Sequence, residues 1–162
     1  MRVLLITATA IVVLFFGSHQ LVWAAATDSQ VESVAEVIAA SKSIISAFGS
    51  DDPETYFQLF DPEATFIFYN SPKRLQNRAD YQQEWASWRR DLGFRVRSCT
   101  SSDQRVQLFG DFAILTHIVR TEIATNQGQE TLSERETIVF HRRDGRWVAV
   151  HEHLSPRPDV AE

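Results

Sequence analysis

Between Asp28 and Gly49 apolar residues return every three or four positions: Val31, Val34, Ile38, Ile45 and Phe48, with Ser41 as a small polar member of the stripe. That is the period of one helix face. Asp28 or Ser29 suits its N-cap and Gly49 its end. Asp51 is placed to cap a short second helix, with Pro53 in its first turn and Tyr56, Leu59 and Phe60 turned inward. "ATFIFYN" is dense in aromatic and branched residues and predicts a strand. "NRADYQQEWASWRRDLG" predicts a third helix with Tyr81, Trp85 and Trp88 on one face, ended by Gly93.

From Phe94 onward the pattern predicts strands only: Phe94 to Leu108 with a break near Ser101-Ser102, Phe112 to Ala124, Glu130 to Arg142, and Arg146 to Ser155. Helices followed by an antiparallel meander give an α+β domain, a curved antiparallel sheet wrapped around three helices. Two bends set the register. "RRDGR" suits a three-residue loop with Gly145 left-handed, pairing Arg142 with Arg146 and Glu136 with Glu152; "TNQGQ" has the same form with Gly128, pairing Arg120 with Glu134. A two-residue Asp-Gly loop competes and would turn one strand over. The three-residue choice collects Phe112, Ile114, Ile118, Ile138, Phe140, Val148, Val150 and Leu154 on one face, an apolar set that fits a core. The opposite face then carries His117, His141, His151 and His153 among Leu115, Val119, Val139, Trp147 and Ala149, a mixed surface suited to a dimer interface.

In that register Glu134, Glu136 and Glu152 share the helix-covered face with Arg120. Cross-strand neighbours lie about 5 Å apart and diagonals about 7 Å, so these side chains meet. Three carboxylates against one guanidinium leave surplus negative charge, and burial adds to it, so Glu136 or Glu152 is expected to titrate high and to serve as a proton shuttle. The same arrangement also describes an ion-pair network at the wet rim of a sheet. The candidate catalytic residues are Glu136 and Glu152. The candidate ligand-binding residues are Arg120, Glu134, Tyr69, Tyr81 and Trp85, with Phe66, Phe68 and Trp88 as further wall positions. His117, Thr137 and His151 form a cross-strand row, which is too few ligands for a metal centre, so no metal is expected. No nucleophile triad, phosphate-cradling glycine loop or Cys-x-x-Cys occurs, and no cofactor is expected.

Composition changes the picture in two places. A net charge of −5 and a pI of about 5.5 argue against a nucleic-acid partner. The first 26 residues have Arg2, an apolar run from Val3 to Phe16 and small residues Ala24 to Ala26, the form of a secretory leader cleaved after Ala24 or Ala26. The run is shorter than the roughly 20 residues of a spanning helix, so no stable membrane anchor is expected after cleavage. This divides the chain into a leader, 1–26, and one domain, 27–162, in the periplasm or outside the cell. Cys99 is alone, so no internal disulfide staples the exported domain.

"SERETIVFHRRDGRWVAVHEHLSP" resembles the last two strands of the nuclear transport factor 2-like superfamily. "HRRDGRW" followed by His-x-His-x-Ser resembles the association domain of calcium/calmodulin-dependent kinase II and its bacterial relatives, and "WVAVHEHLSP" is similar to the SnoaL-like branch. "DPEATF" and "LFGDFAILTHIVR" fit the same template. The resemblance implies a cone: a bent sheet around helices, open at one end onto a pocket, paired through the sheet as a dimer or assembled into rings. It implies pocket arginines at three positions. Arg120 occupies one, while Ile138 and Leu154 stand at the other two. Family members include isomerases, cyclases and dehydratases as well as proteins that only bind a ligand or another chain. The expectation is an exported homodimer, joined through the outer sheet face at His117, His151 and His153, that binds a small molecule. The alternatives are an enzyme using a pocket carboxylate as general base, and an oligomeric assembly module.

Overall fold

The computed structural model describes residues 18–157. The basic and apolar parts of the expected leader, 1–17, lie outside them. The first helix, α1 (Ser18–Gly49), buries Val37, Ser41, Ile44 and Ala47, a three-four repeat on one face. Asp28 and Ser29 lie within this helix rather than capping it, because the upstream Ala24–Ala26 run is itself helix-favouring. Val31, the first member of the predicted stripe, is 69% exposed. No helix among the described residues is long and apolar enough to cross a membrane.

The second helix, α2 (Pro53–Gln58), is capped by Asp52, not Asp51: its side chain accepts from Thr55 N at 3.1 Å. Asp51 is occupied elsewhere. Its Oδ1 accepts from Arg89 Nη2 at 2.6 Å and from Val96 N at 3.2 Å, tying the α1–α2 turn to the rest of the domain. The inward residues of α2 are Tyr56 and Phe57. Strand β1 (Phe60–Phe68) follows, then α3 (Arg78–Leu92), whose N-cap is Asn77 and whose C-cap is Gly93 at φ +64. Tyr81 and Trp85 of α3 are buried in an aromatic cluster with Tyr56, Phe57, Phe66 and Phe68.

Strands β2 (Arg95–Phe109), β3 (Phe112–Thr125), β4 (Gly128–Arg143) and β5 (Arg146–Pro156) form the meander, and β1 joins β5 in parallel. The order is β1-β5-β4-β3-β2, so the α+β class stands, with an antiparallel sheet extended by one parallel strand. The break expected in β2 is a register shift between Ser102 and Arg105, with Asp103 at φ +52. At Gly49 an added Cβ would lie 2.9 Å from Cys99 N, so the bare glycine lets the end of α1 press on β2.

Both bends differ from the expected ones. Asp144 and Gly145 form a two-residue turn with φ +50 and +73, pairing Arg143 with Arg146. Paired positive φ values match the right-handed twist of the flanking strands. Trp147 and Ala149 therefore face the core, and Val148 and Val150 do not. The register then slips between Val139 and Phe140, leaving Val150 as the extra residue of a bulge. Beyond it Ile138 faces Glu152 and Glu136 faces Leu154. Two one-residue displacements restore the face of Glu152, which points inward at 2% exposure, but move its partner by two positions.

The β3–β4 bend is also two residues long, Asn126-Gln127, with Thr125 paired to Gly128. No bulge compensates here, so all of β3 is inverted relative to the expected register. Ala113, Leu115, His117, Val119 and Thr121 are buried, while Phe112, Ile114, Ile118 and Arg120 face outward. The bend is held by α3: Asn126 N donates to Leu92 O at 2.8 Å.

Candidate functional site

A cavity of about 320 Å³ opens between the helices and the concave face of the sheet. Its walls are mainly apolar and aromatic: Ile44, Ile45 and Phe48 from α1, Tyr56 from α2, Phe68 from β1, and Tyr81 and Trp88 from α3. The sheet contributes Cys99, Val119, Thr121 and three carboxyl groups, Glu134, Glu136 and Glu152. No lysine or arginine is among the described residues that line it.

Glu134 and Glu136 are alternate residues of β4, so the pleat sends both inward; the β5 bulge brings Glu152 beside them. All three are 6% exposed or less. Tyr56 Oη donates to Glu152 Oε2 at 3.1 Å. His117 Nε2 lies 2.6 Å from Glu136 Oε2. That contact is close but poorly directed, and neither atom gains a well-aligned hydrogen bond from it. On the other side of the ring Ser101 Oγ is 2.7 Å from His117 Nδ1 and accepts from Gln104 Nε2 at 2.8 Å. With the Ser101 hydroxyl donating to Nδ1, a neutral imidazole carries its proton on Nε2, beside Glu136.

Burial dominates the titration of these groups. It raises Glu136 to about 7 and raises Glu152 well above the usual carboxylate range, where the charge of Glu136 pushes it further. Glu134 is raised by burial and partly relieved by the Tyr69 hydroxyl. His117 is held down to about 4 by burial, so it is neutral near pH 7. Burial and the Glu152 charge push Tyr56 and Tyr81 well above 10. Near neutrality the arrangement is a protonated Glu152 beside a partly ionised Glu136, flanked by un-ionised phenols and an un-ionised imidazole. Such a set can hold, give or take one proton, and it can hydrogen-bond a polar group entering the cavity.

The expected site is therefore gathered in part. Glu134, Glu136, Glu152 and Tyr81 line the cavity. Tyr69 is 47% exposed at its margin and acts through Glu134. Trp85 is core rather than wall, edge-on to Phe48 and tilted against Tyr56, and Trp88 takes the lining position. Arg120 is not in the site. It faces out, with its side chain 62% exposed, 3.7 Å from Glu122 on its own strand. The inversion of β3 that removes Arg120 delivers His117, which was expected on the outer dimer face and is 3% exposed inside. His151 and His153 stay on the outer side; His151 Nδ1 meets Thr65 Oγ1 at 2.8 Å. The row of His117, Thr137 and His151 does not exist, since Glu136 stands opposite His117 and His153 opposite Thr137. No local sequence signal marks Tyr56, Ser101 or Cys99 as a site residue. The sequence turns Tyr56 inward, but only the packing of α2 against α1 and β1, with β1 paired to β5, brings it to Glu152.

Residues 33–158 match the calcium/calmodulin-dependent protein kinase II association domain family. The chain belongs to that family. The delta subunit of calcium/calmodulin-dependent protein kinase type II from Oryctolagus cuniculus is 28% identical over 127 residues, covering 77% of this chain and 24% of the kinase subunit, so the chain spans about a quarter of that relative. Among solved structures, a protein from Xanthomonas campestris, described as a calcium/calmodulin dependent protein kinase II association domain, superposes with a TM-score of 0.64 at 20% identity over 77% of this chain and 88% of its own. A nuclear transport factor 2-like protein of unknown function from Pseudomonas putida gives 0.66 at 15% identity over 80% and 90%. The fold is thus that of the nuclear transport factor 2-like proteins, as the carboxy-terminal motif implied. Within this association-domain fold, the three positions implied for pocket arginines carry an outward Arg120, a buried Ile138 and a partly buried Leu154.

Proposed function

We propose that this association-domain protein is an exported, homodimeric small-molecule-binding domain. The observation that carries the reading is the cavity, whose size falls at the lower end of ligand pockets and whose apolar wall holds a few convergent polar groups. Glu136 and Glu152 fix the polar end of the ligand, with Glu134, Tyr81 and Tyr56 around it. Native mass spectrometry of protein purified from its own host tests this directly: a retained small molecule should be released by Thr121→Trp, which fills the cavity. If wild type carries nothing and no compound raises its melting temperature, the reading fails.

Dimerisation through the outer sheet face is supported by half-buried Ile114, Ile118, Val139 and Val148 and by Phe112, 45% exposed. Ile118→Asp should convert a dimer to a monomer in sedimentation experiments, and a wild-type monomer would exclude this part. Export rests on the leader-like residues 1–26; the mature chain should begin at Ala25 or Thr27 by N-terminal sequencing. An enzyme of the isomerase, dehydratase or cyclase kind is a second reading, favoured by one observation: a phenol donates to a buried carboxyl that is next to a second carboxyl. There Glu136 would act as the base, and Glu136→Gln should abolish turnover while ligand affinity persists.

A further inference from the structure

We propose that the cavity selects an organic amine, bound as its ammonium ion with an aromatic or aliphatic body against the rings. This rests on the ligand-binding reading and goes beyond it to the chemical class. Three carboxyl groups line the space and no basic side chain among the described residues lines it. Glu136 Oε2 is buried, and its neighbour His117 Nε2, 2.6 Å away, is too poorly directed to satisfy it. The other walls include Phe48, Tyr56, Tyr81, Trp88 and Phe94, whose ring faces attract a cation held close to them. An anionic ligand would oppose ionisation of Glu136, with no basic side chain among the described lining residues to offset it. A neutral one would leave the carboxyl cluster as it is.

Charge balance favours the ammonium for a further reason. Glu152 and Glu136 retain protons that burial forces on them. When R–NH3⁺ enters, a proton leaves Glu136 for solvent and the carboxylate takes the ammonium as its counter-ion. No bond in the ligand breaks, and the buried charge is paired rather than isolated. Binding therefore releases a proton wherever Glu136 is protonated beforehand. The titratable groups around the cavity are Tyr56 on α2, Tyr81 on α3, Cys99 on β2, His117 on β3, Glu134 and Glu136 on β4 and Glu152 on β5, with Tyr69 bonded to Glu134. α1 contributes only apolar residues, Ile44, Ile45 and Phe48. His117 is held down to about 4, Cys99 is pushed up to about 12, and the two buried phenols lie well above 10. Glu136, at about 7, is the group poised to release its proton between pH 6 and 8.

The experiment uses three probes with one apolar body: 2-phenylethylamine, 2-phenylethanol and phenylacetate, titrated calorimetrically into the purified protein. At about pH 8 the amine should bind at least about tenfold more tightly than the alcohol, and phenylacetate should bind most weakly. Between about pH 8 and about pH 6 the amine should lose about tenfold in affinity, the factor for a group near 7 that must be ionised in the complex. Buffers of different ionisation enthalpy should report a proton released near pH 6. In Glu136→Gln the pH dependence should flatten, and circular dichroism checks that this variant is folded. If the alcohol or phenylacetate equals or exceeds the amine, the amine assignment is overturned while the binding cavity stands. If none of the three binds up to its solubility limit, the cavity reading falls and takes this inference with it.

Discussion

Replacing Glu136 by glutamine should make the protein relatively more stable at high pH. Glu136 is 6% exposed, and burial raises its folded pKa to about 7 against 4.5 for the unfolded chain. A carboxyl raised on folding binds its proton more tightly in the native state, so native stability falls as pH rises from the unfolded value through the folded one. At about 1.36 kcal/mol per unit, the full penalty above pH 7 is about 3 kcal/mol. Less than about 1 kcal/mol of it has accrued by pH 5, so the penalty grows by about 2–3 kcal/mol between pH 5 and pH 8. His117, lowered from 6.5 to about 4, has the opposite sign: its contribution is lost as pH falls from 6.5 toward 4. It partly hides the carboxylate effect in the wild type. Replacing Glu136 also removes one of the charges that raise Glu152, which acts in the same direction. Urea denaturation of wild type and Glu136→Gln at about pH 5 and pH 8 measures the double difference. With slopes of about 1–3 kcal/mol per molar, the midpoint of the variant relative to wild type should rise by about 1–2 M between the two pH values. Parallel behaviour at both pH values would refute a buried carboxyl with a raised pKa, and the proton argument for the site with it.

Arg120→Ala should be silent, within about 0.5 kcal/mol in denaturation and without effect on ligand binding, because an exposed ion pair contributes little. Gly93→Ala should cost about 1 kcal/mol of left-handed strain, because the atom its Cβ would approach at 2.2 Å, Asn126 Oδ1, ends a side chain that can swing aside. Gly110→Ala, at φ +61 with nothing within 4 Å, should cost the same strain alone, and a much larger loss at Gly93 would show that the Asn126 side chain is held rigidly. Tyr56→Phe removes a donor that holds Glu152 down, so an NMR titration should find Glu152 raised further still.

The elements and their order are legible in the sequence. The period of α1, the aromatic face of α3, the glycine at φ +64 that ends it and the four meander strands all follow from local chemistry, because a helix stripe, a C-cap and an alternating strand are written within a few residues of one another. The sequence also determined that Glu134 and Glu136 share a face, since they are two apart on one strand. Tertiary structure decided the faces of β3 and β5. Both sides of β3 are apolar, Leu115 and Val119 on one and Ile114 and Ile118 on the other, so alternation cannot choose between them. The choice falls to Asn126, held by the carbonyl of Leu92 on α3, and that hydrogen bond sends Arg120 out and His117 in. On β5 a bulge beside Val150 returns Glu152 to the interior, and no turn residue signals it. A one-residue shift exchanges every side chain of a strand between solvent and core, so contacts far apart in the chain settled which charges the cavity holds.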